Sequence, residues 1–321
     1  MIFSNIFCQK CNGGLKITLD RGDSKILSCK CSDYPVIENI IYLQNNRLKE
    51  RCLQFIRRGN YIGAIATLMD VRRLLRFPII LFLTIEPKMA IIKKVFNRNL
   101  YEVFGFNNFI KILSGLTYSK SWSRYLVDRD NITSFKVSSK LESGLKNKKF
   151  KVLDFGCGVG QLLPFIKVKN LVALDKSFLN LYFARKYFAS NSTLLVCADG
   201  ERGLPFNSKS LDQIFASDCF ISIRNRENFV SESSRVLNRH GSLKIVNIIN
   251  TQNVVYARIT GVKFQSCIKM LQKNKFNKIS IFTDKEILDK KYEEINKISS
   301  NGYIPNKLRE KQSYNVIAIK S

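Results

Sequence analysis

Apolar and polar positions alternate in short blocks along the second half of the chain, from about residue 132 onward. Five apolar segments bounded by polar residues predict strands, and three segments of helical periodicity predict helices. The strands are KVLDF, LVALD, TLLVCAD, LDQIFASD and SLKIVNII, and the helices cover residues 132–145, 177–189 and 225–237. Alternating strands and helices indicate a parallel sheet covered on both faces. Two later strands, KISIFT and YNVIAIK, are expected to form an antiparallel hairpin at the sheet edge.

Residues 47–118 carry a different pattern, in which apolar side chains recur three and four positions apart. This spacing is typical of amphipathic helices, and Pro78 and Pro87 are expected to divide them. We therefore predict a helical connecting and substrate region over residues 47–130. The run FPIILFLTI, residues 77–85, lies beside three arginines and leaves a second interpretation open, a helix at a membrane surface.

Four of the nine cysteines lie within the first 31 residues, as Cys8-x-x-Cys11 and Cys29-x-Cys31. Two such turns are typical of the knuckles of a tetrahedral four-cysteine zinc site, although the second spacing is one residue shorter than the common one. A module of this size, residues 1–46, has too little core to fold by itself, so bound Zn²⁺ would supply its stability. The alternative is that the cysteines are small buried groups without a metal.

The formal net charge is +28, from 53 basic and 25 acidic side chains. Almost all of this excess follows residue 46, because residues 1–46 hold five basic and four acidic side chains. Such a field favours anionic partners, namely RNA, an acidic membrane surface or a phosphorylated substrate. The alternative is compositional drift, since the basic residues are scattered and no aromatic RNA-binding cluster accompanies them.

The longest apolar run, residues 77–85, is about half of the ~20 residues that a bilayer crossing needs, so no membrane span is predicted. The first ten residues lack the basic start and the long apolar segment of a signal peptide. We therefore expect a cytoplasmic protein. Reduced, metal-binding cysteines agree with this location better than disulfides do.

The segment VLDFGCGVGQ, residues 152–161, joins a predicted strand to a turn with three glycines, Gly156, Gly158 and Gly160. A dinucleotide fingerprint has its third glycine five positions after the first, whereas the separation here is four, and the Gly-Lys-Ser/Thr of a phosphate loop is missing. Asp154 ends the strand, where its charge would repel a pyrophosphate but would attract an amino group and a sulfonium. S-adenosylmethionine carries both groups, and we predict that it binds here.

Two further acids are predicted at strand ends. Asp175 ends the next strand, about 20 residues after the first glycine, where a carboxylate can accept hydrogen bonds from ribose hydroxyls. Asp199 ends the third strand and is followed by Gly200 and the apolar Leu204-Pro-Phe segment, which suit an adenine ring. Each acid alone could be a helix cap, but the acids and glycines in this order form a specific pattern.

These segments, over roughly residues 130–255, resemble the class I S-adenosylmethionine-dependent methyltransferases with a methyltransferase type 11-like domain, and we predict that the methyltransferase domain covers residues 131–321. The resemblance rests on the motifs VLDFGCGVGQ, LVALDKS, CADGERGLPF, LDQIFASD and RVLNRHGSLKIV. It implies a Rossmann-like α/β fold, with a mostly parallel seven-stranded sheet that binds the ligand at the carboxyl ends of its first strands. It also implies a set of cofactor-binding residues, which are Asp154, Gly156, Gly158, Gly160, Asp175, Lys176, Asp199, Gly200 and Ser217.

The amino-terminal segment is similar to the zinc-ribbon modules of bacterial zinc-ribbon methyltransferases. In those modules C-x-x-C-x-G-x-L is followed by paired cysteines and a Y-P-V-x-x-G-I run, and here Asn39 replaces the glycine of that run. The resemblance implies that a structural Zn²⁺ is bound by four cysteines, Cys8, Cys11, Cys29 and Cys31.

Methyl transfer requires an acceptor atom held close to the methyl carbon, and a hydroxyl or amine acceptor must also lose a proton. The only histidine, His240, precedes the fifth strand, whereas ligands of such sheets bind at the carboxyl ends. Asp218 ends the fourth strand beside the expected methyl group, so we predict that it is the catalytic base or orients the acceptor. The alternative is that Asp218 caps the following helix.

The predicted function is methyl transfer from S-adenosylmethionine to an unidentified acceptor, which we expect to be a small molecule or a glycan. The basic charge leaves an alternative, a methyltransferase that acts on ribosomal RNA bases, although the near-neutral cysteine segment argues against it. A non-catalytic scaffolding subunit is a third interpretation, opposed by the intact acids and glycines of the predicted pocket.

Overall fold

The structure is a computed structural model, and it describes residues 6–69, 126, 129–145, 147–250, 261–305 and 313–320. The chain divides into two compact units. The first unit joins Met1–Asn45 to Thr133–Ser321, and the second unit is Asn46–Ile132. The first unit therefore contains both the cysteine-rich segment and the glycine turn. The division into three domains at residues 46 and 130 stays a prediction.

The described strands of the first unit form one mixed sheet of eleven strands. Numbered in chain order, they are β1 (Lys16–Arg21), β2 (Ser24–Ser28), β3 (Asp33–Ile37), β4 (Ile40–Tyr42), β5 (Lys151–Phe155), β6 (Asn170–Asp175), β7 (Leu194–Cys197), β8 (Leu211–Ser217), β9 (Leu237–Ile249), β10 (Phe276–Phe282) and β11 (Ser313–Lys320). Their order across the sheet is β1-β2-β3-β4-β7-β6-β5-β8-β9-β11-β10.

The centre of the sheet is parallel, as the alternating pattern predicts. Parallel pairing joins β7 to β6, β6 to β5, β5 to β8 and β8 to β9. Successive residues of β5 and β7 are buried, which is typical of strands covered on both faces. At the other end, β11 lies between β9 and β10 and is antiparallel to both. The last two strands therefore pair antiparallel as predicted, but only β10 lies at the edge.

The amino-terminal strands, which carry the cysteine cluster, extend this sheet. Neighbouring strands from β1 to β4 pair antiparallel, and β4 then pairs parallel with β7 through Ile40, Ile41 and Tyr42. These three side chains are buried. Without β4, the apolar strand β7 would present an unpaired backbone edge, and β4 removes that edge. The sequence did not predict this continuity.

The described α-helices begin at polar caps in several cases. Numbered in chain order, they are α1 (Arg47–Arg57), α2 (Tyr61–Leu68), α3 (Thr133–Ser143), α4 (Phe178–Phe183), α5 (Arg226–Val236), α6 (Phe264–Lys273), α7 (Asp284–Asp289) and α8 (Tyr292–Asn301). The side chains of Ser177 and Asn225 accept backbone N–H groups at the starts of α4 and α5. A π-helix, Ala184–Phe188, continues α4 directly.

The second unit contains α1 and α2 among its described residues. The side chains of Asn46 and Asn60 cap these two helices. The helical prediction for the connecting region is therefore confirmed over residues 47–68, whereas the membrane-surface interpretation of residues 77–85 falls outside the described residues. Within the described part of the chain, every helix is too short or too polar to cross a bilayer.

Candidate functional site

The glycine turn after β5 has a left-handed backbone at each glycine, with φ of 67° at Gly156, 57° at Gly158 and 83° at Gly160. The backbone N–H of Gly156 donates to the carbonyl of Leu174 on β6 at 2.8 Å, which ties the turn to the neighbouring strand. L-residues with side chains rarely adopt these φ values, so the turn itself requires glycine.

The surroundings of the three glycines differ. A Cβ added at Gly156 would lie 2.7 Å from Cβ of Cys219, and one at Gly160 would lie 2.7 Å from Cβ of Ala184. At Gly158 a Cβ would have no described heavy atom within 4 Å. Gly156 and Gly160 therefore allow close packing inside the protein, whereas Gly158 faces open space that a ligand could occupy.

Asp175, at the end of β6, connects this turn to α4. Its carboxylate accepts hydrogen bonds from the N–H of Gly158 at 2.9 Å, the N–H of Ser177 at 2.8 Å and the side-chain amide of Asn180 at 3.2 Å. Burial raises the pKa of Asp175, and these three donors oppose the shift. A carboxylate offers about four acceptor positions, so about one remains for a ligand hydroxyl.

The ends of β5, β6 and β8 bring three acids around one thiol. Cys219 is partly buried and its sulfur lies 3.1 Å from the carbonyl oxygen of Phe155. Burial and the charges of Asp154, Asp218 and Asp175 raise the pKa of Cys219 well above its ordinary value. This thiol therefore stays protonated at neutral pH and is a poor nucleophile. Each of the three carboxylates therefore lies near enough to act on this thiol, and Asp154 and Asp175 stand at the ends of the paired strands β5 and β6.

Asp218 follows β8 with a left-handed backbone, φ 58°. Its carboxylate accepts a hydrogen bond from the hydroxyl of Ser134 at 3.0 Å and one from the side-chain amide of Asn247 at 2.8 Å. The 3-10 helix that follows directly, Phe220–Ser222, has Cys219 as its N-cap, and the cap of α5 is Asn225, so neither helix uses Asp218 as its N-cap. These contacts orient the carboxylate at the carboxyl end of the sheet.

Asp199 and Gly200 begin the loop after β7. Just before this loop, the N–H of Ala198 donates a hydrogen bond of 3.1 Å to the carbonyl of Asp175 at the end of β6. A Cβ at Gly200 would lie 2.3 Å from the ring of Phe155, so the loop packs tightly against β5. The carboxylate of Asp199 is 37% exposed and pairs with Arg202 at 3.1 Å. It lies on the loop at the predicted adenine side, and its role there stays a prediction.

Two other predicted cofactor-binding residues, Ser217 and Lys176, contact groups of the protein itself. The hydroxyl of Ser217 is buried and lies 3.4 Å from a carboxylate oxygen of Glu142 on α3. Lys176 contributes its carbonyl, which accepts a hydrogen bond from the side-chain amide of Gln44. His240 is exposed near the start of β9, away from the carboxyl ends of the strands, as the sequence predicts.

The four amino-terminal cysteines converge on one point. Their sulfurs lie within 4.8 Å of one another, with separations of 3.4 Å for Cys8 and Cys31, 3.6 Å for Cys11 and Cys29, and 3.6 Å for Cys29 and Cys31. All four are free thiols. A tetrahedral zinc site with Zn–S bonds of about 2.3 Å has sulfurs about 3.8 Å apart. The cysteines therefore fit a tetrahedral metal site.

Hydrogen bonds around Cys8 also favour a thiolate. The hydroxyl of Tyr34 lies 2.9 Å from its sulfur, and the N–H of Lys10 lies 3.4 Å from it. Burial would raise the pKa of Cys8, but these and a further backbone hydrogen bond lower it to about 6. A thiolate at neutral pH is the form that ligates a soft metal ion.

Comparison with known proteins agrees with this geometry. Residues 153–245 match the family model described as a methyltransferase domain. The chain therefore contains a methyltransferase domain, and the predicted enzyme class, a methyltransferase of the Rossmann-like α/β type, is confirmed. No curated protein sequence matches the chain.

Three solved structures illustrate the resemblance. The first is a chain from the complex between the Haloferax volcanii Trm112 methyltransferase activator and a methyltransferase. It is 16% identical with a TM-score of 0.47, and the match covers 62% of the present chain and 94% of the matched chain. A SAM-dependent methyltransferase from Thermotoga maritima is 13% identical with a TM-score of 0.44, covering 70% and 100%. A TehB-like SAM-dependent methyltransferase from Corynebacterium glutamicum is 13% identical with a TM-score of 0.44, covering 62% and 97%. At these values they carry no information about the acceptor of this chain.

Proposed function

We propose that the chain binds S-adenosylmethionine at the carboxyl ends of β5, β6 and β7 and transfers its methyl group to an acceptor. One observation carries this proposal: the buried carboxylates of Asp154 and Asp175 lie at the ends of two neighbouring strands, beside the glycine turn whose Gly158 faces open space. Neighbouring buried carboxylates repel one another, and a cation among them lowers their energy. S-adenosylmethionine supplies two positive groups, a sulfonium and an ammonium.

The role of each residue follows from its place at the strand ends. Asp154 and Gly158 would hold the methionine part, and Asp175 would accept a ribose hydroxyl at its remaining acceptor position. Asp199 and Gly200 would lie against the adenine. The sulfonium is already a good leaving group, so these residues contribute mainly by orienting the cofactor and excluding water.

Isothermal titration calorimetry with S-adenosylmethionine tests this proposal. The change Asp154→Asn removes a buried negative charge with almost no change in size, and we expect at least about tenfold weaker binding. The matched control is Asp289→Asn at the exposed end of α7, which should bind as the wild type does. Binding heats that are missing in the wild type, or unchanged in Asp154→Asn, would contradict the proposed pocket.

For the acceptor, we infer a small molecule or a glycan with a hydroxyl or amine group. Asp218, oriented by Ser134 and Asn247, would accept the proton or a hydrogen bond from that group. Labelled cofactor incubated with fractionated cell extract should label the small-molecule or glycan fraction. Asp218→Asn should reduce this labelling strongly and leave cofactor affinity near the wild-type value, because the change lies on the acceptor side.

RNA is the second candidate acceptor, because of the net charge of +28. Residues 1–46 do not share this excess of basic side chains, and four thiolates around Zn²⁺ would add a net charge of −2 to them. This segment would therefore not attract RNA. A salt titration of RNA binding separates the two candidates. A steep loss of affinity with rising salt, together with label in the RNA fraction, would favour RNA, whereas undetectable binding at low salt would remove it.

We further propose that the four clustered cysteines hold one structural Zn²⁺. The sulfur separations support this, together with the hydrogen bonds from Tyr34 and the N–H of Lys10 to the sulfur of Cys8. When bound, the ion would crosslink the two knuckles and stabilise a segment that has little core of its own. Metal analysis should find about one equivalent per chain in the wild type and clearly less in Cys11→Ser.

A further inference from the structure

The first metal knuckle contacts the loop that carries the predicted adenine-side residues. Gln9 lies between the ligands Cys8 and Cys11. Its side-chain amide donates to the carbonyl of Gly203 at 2.6 Å and lies 3.5 Å from the carbonyl of Asp199. One side chain of the knuckle thus spans both ends of the segment 199–203.

Backbone contacts continue along the same loop. The N–H of Phe7 donates to the carbonyl of Pro205 at 3.1 Å, and Ile6 forms an antiparallel β-bridge with Phe206. Ile6 and Phe206 are both buried. Gln9 therefore contacts residues 199 and 203 of this loop, and the segment before the knuckle contacts residues 205 and 206.

The carboxyl-terminal end of the cysteine module, residues 1–46, contacts the turn that follows β6. Gln44, just after β4, donates its side-chain amide to the carbonyl of Lys176 and lies 3.5 Å from the sulfur of Cys197. The N–H of Leu43 donates to the carbonyl of Cys197 at 2.8 Å. Two glutamines from one module thus contact the backbone of the two loops assigned to the ribose and the adenine.

We propose that the cysteine module is a clamp on the cofactor pocket, in which Gln9 and Gln44 are positioning residues. Metal binding to the four cysteines holds Gln9 against the loop 199–206, so loss of the metal loosens that loop and weakens binding of S-adenosylmethionine. This inference rests on the proposed function, because it takes these loops to be the cofactor loops.

The position of Gln9 depends on the knuckle for a geometric reason. The knuckle is a tight turn in which the N–H of Cys8 donates to the carbonyl of Gly13 at 3.0 Å and the N–H of Asn12 donates to the carbonyl of Cys8 at 2.8 Å. A metal bonded to Cys8 and Cys11 closes this turn on both sides of Gln9. Without the metal, the exposed Cys11 side of the turn loses this tie and Gln9 gains freedom, so its contact with the loop carries a larger entropy cost.

Hydrogen–deuterium exchange tests the clamp independently of activity. In Gln9→Ala, and in the wild type stripped of metal, we expect faster exchange in a peptide that covers residues 199–206. A peptide that covers β5 is the internal reference and should be unchanged in Gln9→Ala. The matched control is Lys10→Ala, which truncates an exposed side chain of the same knuckle and should leave the loop unchanged.

Cofactor affinity supplies the second measurement. Loss of a single hydrogen-bonding side chain should weaken S-adenosylmethionine binding about threefold to tenfold in Gln9→Ala and in Gln44→Ala, with metal content and melting temperature close to the wild-type values. If the wild type binds no S-adenosylmethionine, the proposed function fails, whereas the exchange result still supports or contradicts the clamp. If Gln9→Ala shows wild-type loop exchange and wild-type affinity, the clamp is wrong.

Discussion

At Gly156, Gly158 and Gly160 the backbone takes the same left-handed conformation, but the space around the three Cα atoms differs. Gly156 and Gly160 pack against Cys219 and Ala184, while Gly158 faces open space and donates its N–H to Asp175. One residue type therefore serves two purposes within five positions. The flanking glycines allow the turn to pack, and the central one keeps the ligand side clear.

This difference predicts different outcomes for two alanine substitutions. Gly158→Ala should cost about 1–2 kcal/mol of stability from left-handed strain, and its methyl group should reduce S-adenosylmethionine affinity by at least about tenfold. Gly160→Ala carries the same strain and adds a clash with Ala184, for a further ~1–3 kcal/mol.

Thermal melting and calorimetric titration of both variants test this assignment. The melting temperature should fall by about 2–4 °C for each kcal/mol lost, so Gly160→Ala should melt lower than Gly158→Ala. Equal cofactor affinity in Gly158→Ala and the wild type would mean that the open space beside Gly158 is not the ligand side of the turn.

At the scale of elements, the pairing of β4 with β7 joins the cysteine segment to the methyltransferase sheet. Ile40, Ile41 and Tyr42 of β4 pair with Leu195, Val196 and Cys197 of β7, and all six side chains are buried. β4 is only three residues long, so its stability comes from this burial and from the two strands beside it. The junction contributes to the stability of both segments.

Truncation of a side chain in this junction should therefore be costly. We expect Ile41→Ala to lower the free energy of unfolding by about 2–5 kcal/mol, because Ile41 is fully buried and its loss leaves a cavity. The matched control is Ile17→Ala on β1, where the side chain is 48% exposed and the cost should be within about 0.5 kcal/mol. Denaturant unfolding measures both, and equal costs would contradict a structural role for the β4–β7 pairing.

At the scale of the whole molecule, the grouping of Met1–Asn45 with Thr133–Ser321 in one compact unit has a thermodynamic consequence. In a continuous sheet, unfolding of one region destabilises the neighbouring region, because their strands share hydrogen bonds and apolar contacts. A metal in the cysteine site would thus stabilise the methyltransferase domain as well as the knuckles that bind it.

Differential scanning calorimetry with and without a chelator tests this coupling. Removal of the metal should lower the temperature of the main unfolding transition of the unit, and added Zn²⁺ should restore it. A separate small transition that disappears while the main transition stays in place would indicate that the cysteine segment unfolds independently.

Much of the candidate site could be predicted from the sequence because its signals are local. The glycine turn, the acids at strand ends and the cysteine pairs each lie within a few consecutive residues. The partners of Asp218 could not be predicted in this way, since Ser134 and Asn247 lie 84 and 29 positions away. Nor does any local pattern show that Gly156 and Gly160 face protein while Gly158 faces open space.

The sequence by itself determined the parallel core, the methyltransferase domain and the placement of Asp154 and Asp175 at neighbouring strand ends, because hydrophobic periodicity sets which segments are strands and the carboxyl ends of parallel strands meet at one edge. Only the tertiary structure decided that β4 covers the edge of β7, and that Gln9 and Gln44 reach across 194 and 132 positions to Gly203 and Lys176. The physical reason is that an exposed strand edge and a free carbonyl accept many partners. Which segment supplies the pairing strand and the hydrogen-bond donors depends on how the whole chain packs.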